Sequence, residues 1–136
     1  MIYLTRRESF SAAHRMYKPE WSDKKNQKEF GKCSNPNWHG HNYVLLVTVK
    51  GDISPDQGFV ININNLKHII QEIIIEKTDH KNLNLEVYFM KDIITTTENL
   101  AIAIWNELRP HIEKEGVQLH CVRIEETENN SIEYYG

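Results

Sequence analysis

Little in this sequence suits it to a membrane or a nucleic acid. No apolar run approaches the ~20 residues that a spanning helix needs. Basic charge is not in surplus: 16 Lys and Arg stand against 19 Asp and Glu, a net charge of −3. A nucleic-acid backbone therefore finds no electrostatic footprint, although a local cluster of cations can still hold a small anion. Cysteine is scarce. Cys33 and Cys121 are too few for a disulfide framework, which points to a reducing, cytoplasmic setting. The first residues, MIYLTRR, read as a strand and lack the layout of a signal peptide. No G-x-G-x-x-G and no P-loop is present, so neither motif offers a dinucleotide or nucleotide site. Repeats are absent, and no stretch rich in Pro, Gly or Ser divides the 136 residues. The expectation is a single domain, 1–136, with one core.

What is present has a clear order. Ile2 to Phe10 alternates and predicts a strand. Tyr17 to Lys32 is polar, contains Pro19, and reads as a long loop. His41 to Lys50 (HNYVLLVTVK) is the clearest strand, rich in Val and Tyr, and Gly51 to Gly58 is a turn. Leu66, Ile69, Ile70, Ile73 and Ile74 have helical spacing within 65–77, with Asn62 or Asn64 as the cap. Asp79 to Leu85 is a polar loop. Thr95 and Glu98 form a capping box for a helix holding Leu100, Ile104, Trp105 and Leu108, which Pro110 weakens at its end. Val117 to Glu125 and Ile132 to Tyr135 close the chain as strands. The order ββααββ predicts an α+β fold, a four-stranded antiparallel sheet with two helices on one face. Its open edges must be blunted, covered or paired with another chain.

Three of the seven histidines stand out. His39 and His41, two apart at the head of the best strand, point to one face. If the first two strands pair as a hairpin, His14 joins them. Three histidines with an open fourth position describe a catalytic zinc site. An H-x-H pair alone is a weak signal, because a strand histidine is more often just hydrogen-bonded; Gly40 between them permits close backbone approach. Cys33 lies in a polar loop where burial gains little, and a nearby cation or metal would make it reactive. Cys121, in an apolar strand, reads as core filler. Asp79-His80 could act together on a third group, or simply meet a helix dipole. Of Glu125 and Glu126, one should face inward. Such a buried carboxylate needs donors, and the amino and ring N–H groups of a flat heterocycle would supply two.

Together the stretches SFSAAHRMY (9–17), FGKCSNPNWHGHNY (30–43), GFVININNLK (58–67), TDHKNLNL (78–85), TTTENLAIAIW (95–105) and ETENN (126–130) closely resemble the 6-pyruvoyl-tetrahydropterin synthase family. The resemblance implies a T-fold subunit built into homohexamers, as dimers of trimers with active sites at subunit interfaces. It implies a zinc-dependent phosphorus–oxygen lyase that takes 7,8-dihydroneopterin triphosphate to 6-pyruvoyl-tetrahydropterin in tetrahydrobiopterin-type synthesis. Position by position, His14, His39 and His41 match the Zn2+ ligands. Cys33 matches the catalytic cysteine, with Asp79 and His80 as its partners from a neighbouring subunit. Glu126 matches the pterin anchor, and Thr96 and Thr97 line the pterin pocket. The 6-carboxy-tetrahydropterin synthases of queuosine synthesis share the zinc triad and substrate. Many have three residues between the cysteine and the H-G-H motif. The five residues Ser34 to Trp38 and the ETENN stretch resemble the pyruvoyl branch instead. Trp38 departs from the small residues usual there. Arg15, Lys18, Lys24, Lys25 and Lys32 are candidates for the phosphates, without one being singled out.

Overall fold

The computed structural model describes all residues from Met1 to Gly136. Two long strands form its spine, β1 (Ile2–His14) and β2 (His39–Gly51), paired antiparallel from Ile2↔Gly51 to His14↔His39. Both run further than the sequence predicts, so the hairpin carries its pairing into the histidine segment. β4 (Gln118–Glu125) joins β2, and β5 (Ser131–Tyr134) joins β4, both antiparallel.

The expected four-stranded antiparallel sheet is corrected to five strands in the order β3-β1-β2-β4-β5. The extra strand, β3 (Lys81–Asn82), is parallel to β1. It forms because His80 N donates to Ser11 O at 2.6 Å and Leu83 N to Ala13 O at 2.8 Å, satisfying the open edge of β1. A two-residue strand has no periodicity to betray it.

One face of the sheet is apolar. Tyr43, Leu45, Val47 and Val49 of β2 and Leu119, Val122 and Ile124 of β4 are buried there. Each such aliphatic side chain contributes about 1.5–3 kcal/mol by leaving water. Residue pairing shifts between Thr48 and Val49: Thr48 faces Cys121 while Val49 faces Leu119, leaving His120 as an extra residue. Cys121 is therefore buried but outside the main core cluster, on the sheet's opposite face, rather than core filler.

The helices cover the apolar face. α2 (Ile63–Ile70) starts at Asn62, whose side chain accepts from Asn64 N, and continues through a π-turn (Gln71–Ile75) into α3 (Glu76–Thr78). Leu66, Ile70 and Ile74 form its buried stripe. α4 (Thr97–Glu113) is capped by Thr96, not by Thr95 as the capping box suggests. Thr95 is unavailable because its hydroxyl is already 3.1 Å from Arg15 O and 3.2 Å from Asn84 Oδ1. α4 also runs past Pro110, since fully buried Ile112 anchors its last turn.

A further helix, α1 (Asp23–Phe30), occupies the middle of the expected long loop. It is capped by Ser22, and buried Asn26 locks it down by bonding Lys18 N at 2.8 Å and Lys18 O at 3.0 Å. Trp21 stacks on Phe30 with centroids 5.9 Å apart.

Candidate active site

The end of the β1–β2 hairpin places His14 directly opposite His39, with His41 two residues along the same face. Ring centroids are 4.5 Å apart for His14–His39, 5.1 Å for His14–His41 and 5.0 Å for His39–His41. The strands approach closely at Gly40, where a Cβ would come within 3.3 Å of Ala12 O.

The three imidazoles fit a metal ion. One ring nitrogen from each lies within 4.8 Å of the others. His14 Nε2, both ring nitrogens of His39, and His41 Nε2 are buried without a hydrogen-bond partner. Buried polar atoms are rarely left unpaired unless something else takes them. His14 Nδ1 must donate to Thr95 O, 2.8 Å away, because a carbonyl only accepts. That bond leaves the Nε2 lone pair facing the cluster, the usual outer support of a metal-bound histidine. Burial lowers the pKa of His14 to about 4 and also lowers that of His39, so both rings are neutral at neutral pH, the form able to ligate a metal.

Tyr43 forms the floor, its ring 5.5 Å from that of His41 and 6.2 Å from that of His14. Burial raises the pKa of its phenol, with smaller contributions from the charges of Glu126 and Cys33. Sequence reasoning missed Tyr43 and Thr95. Tyr43 was legible, standing two residues beyond His41 on one strand; Thr95 acts through its carbonyl, which no sequence displays.

Glu126 is the inward carboxylate. Thr97 Oγ1 donates to its Oε2 at 2.6 Å, and its Oε1 lies 3.8 Å from His41 Nε2. Glu125 turns the other way and meets Arg123 at 3.2 Å. A cleft of about 680 Å³ borders Gly40, His41, Glu126 and Asn129. Thr96 is spent on the helix cap, its hydroxyl accepting from Asn99 N.

Cys33 sits half-buried in a 3-10 turn (Gly31–Ser34). Its carbonyl accepts from Met16 N at 2.8 Å, which ties the turn to the chain just beyond His14. Trp38 is half-buried with φ +65, a left-handed residue in the tight approach to β2.

Asp79 and His80 lie at the β1 edge, where His80 borders a cleft that His41 also lines. Asp79 Oδ1 accepts from Ser11 N at 2.9 Å, and no hydrogen bond joins the pair to Cys33. The two side chains do bond each other, at 3.0 Å, because His80 has φ +60 and its ring turns back onto Asp79. The His80 side chain is 83% exposed.

Comparisons with known proteins agree among themselves. The sequence model of the family described as 6-pyruvoyl tetrahydropterin synthase matches residues 3–136. The 6-pyruvoyl tetrahydrobiopterin synthase of Pongo abelii is 48% identical over 133 residues, covering 98% of this chain and 90% of that protein. The solved structure of Caenorhabditis elegans 6-pyruvoyl tetrahydropterin synthase superposes with a TM-score of 0.93 at 38% identity, covering 99% of this chain and 95% of that one. The 6-carboxy-5,6,7,8-tetrahydropterin synthase of Bacillus subtilis (strain 168) is more distant: 31% identical over 97 residues, 69% of this chain and 62% of that protein.

Proposed function

This chain belongs to the 6-pyruvoyl tetrahydropterin synthase family, and from that membership we propose that it converts 7,8-dihydroneopterin triphosphate to 6-pyruvoyl-tetrahydropterin with release of triphosphate. The observation that carries the reading is the meeting of three imidazoles, each with a buried ring nitrogen left unpartnered, with the Thr97-held carboxylate of Glu126. The 6-carboxy product is the alternative. The wider match to the pyruvoyl relatives and the five residues between Cys33 and His39 favour the pyruvoyl product.

His14, His39 and His41 would hold Zn2+, whose Lewis acidity would act on the substrate's side-chain oxygens. Glu126 accepts from the 2-amino and ring N–H groups of the pterin, and Thr97 fixes its rotamer. Thr96 lines the same pocket through the helix start. Cys33, as thiolate, removes a proton from the side-chain carbon. His80, oriented by Asp79, passes the proton on for a neighbouring subunit's site. The exposure of His80 and the lack of a hydrogen bond from the pair to its own Cys33 support that sharing. The subunit is read as one T-fold pterin synthase domain, 1–136, built into a cytoplasmic homohexamer. No helix is long and apolar enough to cross a membrane.

Mass spectrometry of the product formed by the zinc-loaded protein tests this. A pyruvoyl product is expected. A carboxy product with acetaldehyde would move the chain to the alternative, and intact substrate would overturn both.

A further inference from the structure

The substrate named above ends in a polyanionic triphosphate, yet none of the residues assigned to it above is a permanent cation, and the one guanidinium bordering the Glu126 cleft is that of Arg7. The chain carries net negative charge, but not evenly. Residues 15–32 hold six of its 16 Lys and Arg and only three of its 19 Asp and Glu. A cleft of about 600 Å³ opens there, between α1 and the Cys33 turn, with Arg15, Asp23, Gln27, Lys32, Ser34 and Asn35 on its walls.

Arg15 is held from two sides. Its Nε donates to Ser34 O at 2.7 Å, and its guanidinium lies 4.1 Å over the Tyr17 ring. Both contacts leave the two terminal nitrogens without a protein partner. A guanidinium fixed in this way gives up little freedom when its open fork takes an oxyanion. Lys32, which also lines the cleft, has no ion pair or hydrogen bond through its ammonium. Some other cations are engaged: Lys18 and Lys25 sit over Trp21, and Arg6, Arg109 and Arg123 are paired with glutamates; Arg7, Lys24 and Lys28 are not, but none of them lines this cleft. Asp23 is the one carboxylate on the wall, and two cations outweigh it.

The position suits the chemistry. Arg15 directly follows His14, and Lys32 and Ser34 flank Cys33. Three of the cleft's lining residues thus stand one position in sequence from two groups assigned to the substrate's side chain, whose terminal carbon bears the triphosphate. We propose that this cleft binds the substrate's polyphosphate tail, with Arg15 and Lys32 as its cationic contacts; the proposal rests on the function given above.

The test uses zinc-loaded protein, with inorganic tripolyphosphate as a calorimetric probe and dihydroneopterin triphosphate in steady-state kinetics. K32M and R15M should each weaken tripolyphosphate binding and raise KM roughly ten- to a hundredfold, with kcat moving much less. K32R should restore most of the loss, and added salt should weaken wild type more than K32M. R15M also removes the anchor on Ser34, so K32M, which breaks no protein contact, remains decisive if R15M fails to fold. Zinc content is measured in the same samples, because tripolyphosphate chelates metals. Binding and KM in K32M within about twofold of wild type would overturn the cleft, as would binding that only tracks zinc loss. If wild type leaves the substrate intact, the functional reading falls, while the calorimetry still decides whether the cleft takes a polyphosphate.

Discussion

Replacing Thr97 with Val tests how Glu126 is held. The two side chains have nearly the same shape, and Thr97 is buried at the first position of α4, so packing should survive. What disappears is one hydrogen bond of 2.6 Å to a carboxylate. Bonds to charged groups contribute about 1.5–3 kcal/mol. Glu126 remains 22% exposed, so water replaces part of the loss and the lower end applies. About 1.5 kcal/mol corresponds to roughly a tenfold rise in KM. Release of triphosphate by zinc-loaded protein, followed at varied substrate, gives KM and kcat separately. The decisive comparison is a double-mutant cycle with Glu126→Gln. If Thr97 acts through Glu126, T97V should add little on the E126Q background. A T97V enzyme with unchanged KM, or one whose defect multiplies fully with that of E126Q, would refute the positioning role.

Three further outcomes are expected. Cys33→Ala should lower kcat by roughly 10²–10⁴-fold while keeping zinc, checked by elemental analysis beside the assay; undiminished turnover sinks the general-base assignment. His39→Ala should leave purified protein with zinc well below one per chain, because two histidines no longer close the site; full zinc content would remove the triad from consideration. The Ser11 N–H, with help from the His80 ring, holds the Asp79 carboxyl below its ordinary value of 3.8. A depressed carboxylate stabilises the fold fully above 3.8 and loses that effect as pH falls through its lowered value. The urea midpoint of wild type should therefore exceed that of Asp79→Asn at neutral pH, and the gap should close only in acid below 3.8; a gap that is constant to strong acid contradicts the assignment.

Much of the frame was legible in the sequence because it rests on side-chain composition and periodicity. The Val- and Tyr-rich run from Tyr43 to Val49 marks its strand by composition, while the stripe Leu66, Ile70, Ile74 reports burial by its period. The H-x-H pair reports a shared strand face in the same way. Features settled by tertiary bonds were not legible. α1 has a polar sequence and is fixed by Asn26 bridging to Lys18. β3 exists through two backbone bonds to β1. The α4 cap moved by one residue because Thr95 is engaged elsewhere. The Asp79–His80 bond needs a left-handed backbone at His80, which a side-chain pattern does not record.

The extra residue at His120 decides more than local geometry. Counting along β4 from Leu119 on the apolar face, strict alternation would send position 126 to the opposite side. One surplus residue inverts that parity, and Glu126 reaches the face of the histidines. The strand thus behaves like a reading frame with a single fixed shift. Deleting or inserting one residue between Leu119 and Glu126 would preserve the composition of the strand and still misdirect its terminal carboxylate. Length in this segment should therefore tolerate less change than sequence does.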